Sequence, residues 1–151
     1  LFIPENLKKL FKEKFISVHL RRGDYITDSK TAKYHGNLKL DYFINATNYI
    51  RLKYENLPIY IYTDDPIWAG ENIIPKVNNS YLISSKNQSA EIDFFLMSKG
   101  KYFIISNSSF SWWAAFLSQE KEKFIILPKQ WTCEHQTNSN LIYKTWRYKI
   151  F

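Results

Sequence analysis

Short apolar runs alternate with amphipathic stretches along this chain. Residues 15–20, 59–63, 80–84, 102–106 and 124–127 are bulky, β-branched or aromatic segments. Runs of roughly four to eight such residues, bounded by turn signals, read as strands buried on both faces. Between the first two, Leu40, Phe43, Ile44, Thr47, Ile50, Arg51 and Tyr54 recur at helical spacing and predict the clearest amphipathic helix. Ser89 stands where a helix over 90–99 would be capped, and Gly100 where it would end. A further helix is expected over about 110–118. Pro4-Glu5-Asn6 opens a short helical pattern with Leu7, Leu10 and Phe11 on one face. Residues 21–37 read as a long polar loop, functional or disordered, and the tail through Trp131, Trp146 and Phe151 as partly helical cover for the sheet. Alternating strands and helices predict an α/β fold, a Rossmann-like parallel sheet with helices on both faces. Neither an internal repeat nor a domain boundary is legible, so residues 1–151 form one domain.

In such sheets ligands bind outside the carboxyl ends of the strands. Three polar clusters fall on that rim. His19-Leu20-Arg21-Arg22-Gly23-Asp24-Tyr25 ends the first strand, Asp64-Asp65-Pro66 ends the second, and Ser106 to Ser111 follows the fourth. Adjacent arginines at the end of a buried strand must be solvated or paired. A ligand with several anionic oxygens can supply that pairing, and Asp24 can orient a guanidinium. Gly23 is expected to allow a tight turn. Asn107-Ser108-Ser109 lies between a strand and a helix N-terminus, where free backbone N–H groups and the helix dipole favour an anion. Plain capping by either serine is the simpler alternative. Asp64-Asp65 reads as a turn and helix start rather than a metal pair, and no metal is expected.

Composition narrows the class. Hydrophobic residues make up 45% and aromatics 18%, so a real core is available and disorder is excluded. The net charge of +7 suits an acidic partner, although the lysines are scattered rather than packed in one run. Cys133 is the one cysteine, which rules out a disulfide within the chain and points to a reducing, cytoplasmic setting. No segment approaches the ~20 apolar residues of a membrane span. A nucleic-acid-binding role would need a helix-turn-helix, zinc-finger or aromatic sheet motif, and none is present, so no nucleic-acid partner is expected.

The string H-x-R-R-G-D-Y resembles the first motif of the α-1,2-fucosyltransferases, glycosyltransferase family 11. Tyr62-Thr63-Asp64-Asp65 and Ile105-Ser106-Asn107-Ser108-Ser109-Phe110-Ser111-Trp112-Trp113-Ala114-Ala115 resemble later motifs of the same family, in the family's order. Arg22-Gly23-Asp24 is also the adhesion tripeptide, but here it is embedded in the longer match.

The resemblance implies a GT-B-type enzyme of two Rossmann-like lobes, this chain being the carboxyl-terminal, donor-binding one. It implies GDP-fucose as donor substrate, no cofactor, and inverting transfer to a galactoside hydroxyl in an α-1,2 linkage, in glycan or surface polysaccharide synthesis. Carried over by position, Arg21 would contact the β-phosphate and Arg22 would support it. His19, Asp24 and Tyr25 would line the nucleotide pocket, and Asn107, Ser108 and Ser109 would approach the phosphates. Asp93 would accept hydrogen bonds from guanine, unless it only complements its helix dipole. Arg21, Arg22 and Asp24 are the expected catalytic set. A general base must take the acceptor proton. Asp24, Asp28 and His35 are the candidates within the chain, and a base outside it is the alternative. Trp112 and Trp113, at adjacent helix positions, cannot both face one sugar.

Members of the family are roughly twice as long, with an amino-terminal lobe ahead of H-x-R-R-G-D-Y. That acceptor lobe is expected to be absent from this chain. A galactose-terminated acceptor glycan is the expected second substrate, and a lipid-linked acceptor would place the protein at the inner membrane face. A non-catalytic GDP or nucleotide-sugar-binding module is the alternative reading.

Overall fold

The computed structural model describes Lys8, residues 12–54 and residues 56–151. The helical pattern opened by Pro4 lies outside the described residues.

Six parallel strands form one sheet in the order β3-β2-β1-β4-β5-β6. They are β1 (Ile16–Leu20), β2 (Ile59–Thr63), β3 (Ser80–Leu82), β4 (Tyr102–Ile104), β5 (Phe124–Leu127) and β6 (Arg147–Ile150). Every residue of β1, β2, β4 and β5 is buried, as their continuous apolar runs require. The longer helices are α3 (Leu40–Lys53), α5 (Ala90–Met97) and α6 (Ser109–Leu117), with α4 (Pro66–Asn72) between β2 and β3.

Alternate residues of each strand feed opposite layers. Ile16, Val18 and Leu20 pack with Phe43, Ala46 and Ile50 of α3 and Ala69 of α4. Phe15, Tyr60 and Tyr62 pack on the other face against Leu96, Met97 and Ala114 from α5 and α6. Beside them Phe103, Ile105, Ile125 and Leu127 surround Ala115 and Trp146. The Rossmann-like sheet with helices on both faces is therefore present. Its strand order reverses between β1 and β4, and the crevice at their carboxyl ends is where such sheets take ligands.

Three local expectations need correction. Residues 21–37 are not a loop: they form two short helices, α1 (Gly23–Thr27) and α2 (Ser29–His35). Asp28 begins α2 by accepting the Thr31 N–H at 2.7 Å, and Gly36 ends it at φ 68°. Both helices bury little, and only α2 has a side-chain cap, so no apolar spacing announced them. The tail expected as partly helical cover has one 3₁₀ turn and then supplies a strand, β6, on the sheet edge. Gly100 shows no left-handed backbone. It is small because a Cβ there would meet Ser17 Oγ at 2.5 Å, and that hydroxyl donates to Met97 O.

Candidate functional site

The register of the sheet assembles the rim. Leu20 lies beside Thr63, so the next residues, Arg21 and Asp64, emerge side by side. Arg21 Nη1 pairs with Asp64 Oδ2 at 2.9 Å, and its Nη2 with Asp24 Oδ1 at 2.8 Å. The Arg22 N–H donates to Asp64 Oδ1 at 2.9 Å. Arg22 Nε pairs with Asp65 Oδ2 at 3.2 Å, while its guanidinium lies 3.6 Å over the Trp68 ring. Asp65 also caps α4 by accepting the Trp68 N–H. Asp64-Asp65 thus serves as a turn and helix start, and both carboxylates are held by arginines. The pairing that Arg21 and Arg22 demand comes from Asp24, Asp64 and Asp65, with Asp24 orienting a guanidinium as expected.

Gly23 has a different role from the tight turn anticipated for it. It is the first residue of α1, and a Cβ there would lie 2.5 Å from Asp64 Oδ2. Its bare backbone lets Asp64 reach Arg21.

Ser106 fastens the switch point. Its hydroxyl donates to His19 O at 2.6 Å and accepts the Arg21 N–H at 3.1 Å, joining the ends of β1 and β4. His19 is buried beside Phe110, and burial, with the Arg21 charge close by, lowers its pKa to about 3. It is neutral at physiological pH.

Two clefts meet at Arg21 and Phe110, which line both. The larger encloses about 500 Å³ and is walled by Thr63 to Ile67 on one side and Ser85, Lys86, Gln88, Ala90 and Asp93 on the other. The smaller, about 440 Å³, is lined by Asp24, Tyr25, His35, Asn107, Ser108, Ser109 and Trp131. Arg21 is one-third exposed and so presents its remaining N–H donors to both.

The start of α6 faces the smaller cleft. Ser108 is its N-cap residue, yet the side chain makes no capping hydrogen bond. Helix capping therefore does not occupy this hydroxyl, and the first N–H groups of α6 have no intrahelical partner. Asn107 is committed elsewhere, donating to His35 O at 2.8 Å and Trp131 O at 3.1 Å. Its carbonyl accepts the Tyr25 hydroxyl at 2.9 Å. Asn107 and Tyr25 thus hold the walls in place.

Of the proton-acceptor candidates, Asp24 and His35 border the smaller cleft, whereas Asp28 borders neither. The hydrogen bonds of the α2 cap lower the Asp28 pKa. His35 stacks on Tyr25 with ring centroids 4.5 Å apart, and its buried Nδ1 has no hydrogen-bond partner. Asp93, 9% exposed, lies in the first turn of α5 and faces the larger cleft. It accepts from the Ser84 hydroxyl and the Gln88 amide, and burial raises its pKa. Trp112 packs on Phe116 and Trp146 and donates to Leu141 O, while Trp113 is half exposed, so the two do face different ways.

Sequence reasoning placed Ser106 and Phe110 within a rim cluster without giving either a role of its own, and did not single out Gln88 or Trp131 as site residues. Asp64 was noticed without its partner, although the pairing follows from strand register.

A switch-point crevice, an exposed arginine and a helix N-terminus define a Rossmann-like module suited to an anionic ligand. The chain belongs to glycosyl transferase family 11, whose profile matches residues 6–149. It is similar to the O-antigen biosynthesis glycosyltransferase WbnK of Escherichia coli, 41% identical over 116 residues, 76% of this chain and 38% of that protein. The alpha-1,2-colitosyltransferase of Escherichia coli is 35% identical over 150 residues, 92% of this chain and 51% of that protein. Galactoside 2-alpha-L-fucosyltransferase SEC1 of Bos taurus is 27% identical over 105 residues, 69% and 28% respectively. The chain spans about half, or less, of the length of these curated relatives. Among the described residues no helix is long and apolar enough to cross a membrane.

Proposed function

We propose that this chain is the donor-binding part of an inverting glycosyltransferase. The donor is a GDP-linked 6-deoxy sugar, fucose or its 3-deoxy relative colitose, and the acceptor a galactoside hydroxyl in α-1,2 linkage. The names of the bacterial and mammalian relatives support this substrate range. The larger cleft would take the nucleoside, with Asp93 against the base. The smaller would take the sugar, and the diphosphate would bridge them at Arg21. An acceptor-binding lobe beyond these residues would complete the enzyme. The excess of cations suits peripheral contact with an anionic membrane carrying a lipid-linked acceptor.

In the reaction the acceptor oxygen attacks the anomeric carbon from the face opposite the nucleotide. The bond from that carbon to the β-phosphate oxygen breaks, and its electron pair stays on the phosphate. Charge therefore develops on the diphosphate, where Arg21 and the N–H groups of α6 would meet it as preorganised donors. Asp24, Asp64 and Ser106 act through Arg21: the carboxylates fix its side chain and the hydroxyl fixes its backbone. The acceptor proton passes to a base, for which Asp24 and His35 are the cleft-lining candidates.

The position of Arg21, shared by both clefts and opposite the start of α6, carries this reading. Calorimetric titration with GDP-fucose, GDP, ADP and UDP-glucose tests it. The two guanosine nucleotides should bind at least tenfold tighter than ADP or UDP-glucose. Equal affinity across the panel, or no binding at all, would sink the proposal.

A further inference from the structure

We infer that Gln88 is a specificity-determining residue that reads the O6 edge of a guanine seated on Asp93. The inference rests on the nucleoside assignment above and concerns the wall of the larger cleft.

Asp93 is a buried carboxylate whose two oxygens each receive one protein donor. The Ser84 hydroxyl serves Oδ2, and the Gln88 amide serves Oδ1. No cation pairs with Asp93 among the described residues. Ser84 is buried and anchored, since its oxygen also accepts the Thr63 N–H at 2.8 Å. Gln88 differs: it lies just before α5 between the exposed Asn87 and Ser89, and it borders the cleft.

An ionised carboxylate has about four lone-pair positions, two on each oxygen. Ser84 and Gln88 fill one on each, so one on each is left for a ligand. A primary amide carries two N–H donors, and the bond to Asp93 uses one of those on Gln88. In order along the wall the group offers Oδ2 as acceptor, Oδ1 as acceptor, and the second Gln88 N–H as donor.

The Watson–Crick edge of guanine is the complement in the same order. Its N2 amino group and N1–H donate, and its O6 accepts. Guanine would saturate Asp93 and pair O6 with Gln88. Adenine offers one donor and one acceptor there, which leaves one carboxylate oxygen unanswered. A site with buried polar groups rejects a ligand that leaves them unpaired.

The test is calorimetric titration of the wild-type chain, Gln88→Ala and Gln88→Met with GDP, 6-thio-GDP and ADP. The thio analogue keeps both guanine donors and replaces O6 with a weak acceptor. Wild type should prefer GDP to 6-thio-GDP by roughly three- to tenfold, the worth of one neutral hydrogen bond. Both variants should lose that preference, because GDP weakens by this factor and 6-thio-GDP barely moves. Thermal melting checks that the variants fold.

Three results would overturn the inference. An equal fall for both nucleotides makes Gln88 a support for Asp93 only. Tighter GDP binding means that Gln88 occupies the place of the base. Unchanged affinities leave Gln88 no part in recognition. The nucleoside assignment fails on a separate reading, a wild-type chain that binds ADP as tightly as GDP.

Discussion

Burial raises the Asp93 pKa, and Ser84 and Gln88 offset only part of that shift. A carboxyl whose folded pKa exceeds its unfolded value stabilises the fold fully below the unfolded value. The contribution is lost as pH rises through the folded one. At neutral pH the ionised group is therefore a cost to the fold. Asp93→Asn should raise the melting temperature at pH 7 and leave it nearly unchanged near pH 3. The same variant should weaken GDP, since an amide offers one acceptor where guanine needs two. A lower melting temperature at pH 7 would contradict this account. His19 carries the opposite sign of pH dependence. Its folded pKa of about 3 lies below the ordinary 6.5, so between those values the unfolded chain holds more protons. Stability is full above 6.5 and falls as pH drops through the window, by up to ~1.4 kcal/mol per pH unit. In denaturant unfolding between pH 3 and 6.5, His19→Phe should show a shallower loss than wild type. Parallel curves would mean that His19 does not carry the effect.

At the scale of elements, what the sequence reveals tracks what each element buries. β1, β2, β5 and α3 stand where their apolar patterns put them, because burial demanded those residues. α1 buries only Tyr25 and α2 nothing, so both escaped the apolar pattern. β6 is an exposed edge built on Arg147-Tyr148-Lys149-Ile150, and tertiary pairing with β5 makes it a strand. The rim was legible as three polar clusters, since polar residues at the ends of buried strands need a reason. The Arg21–Asp64 pair was not, because it depends on which residue of β1 lies beside which residue of β2. Close packing between elements gives a further prediction. A methyl at Gly100 would press on Ser17 Oγ and Cβ in β1. Gly100→Ala should destabilise the fold by about 1–3 kcal/mol, read as a shifted urea midpoint with unchanged slope. A neutral result would show that the α5–β4 connection can move aside.

For the whole molecule, the net charge of +7 is a poor guide to the site. Two arginines face three aspartates there, a local excess of one negative charge, so binding rests on how donors are placed and not on a general positive field. On the proposed function, such a site should discriminate by the β-phosphate. That claim is tested most directly by the affinity ratio of GDP to GMP, measured by calorimetry on the wild-type chain and on Arg21→Ala. Charge-assisted hydrogen bonds contribute roughly 1.5–3 kcal/mol, or about 10- to 150-fold. Wild type should prefer GDP by that order. Arg21→Ala should fold normally, since it gives up only partly exposed ion pairs, and should bring the ratio close to one. A preference for GDP that survives in Arg21→Ala would contradict the account.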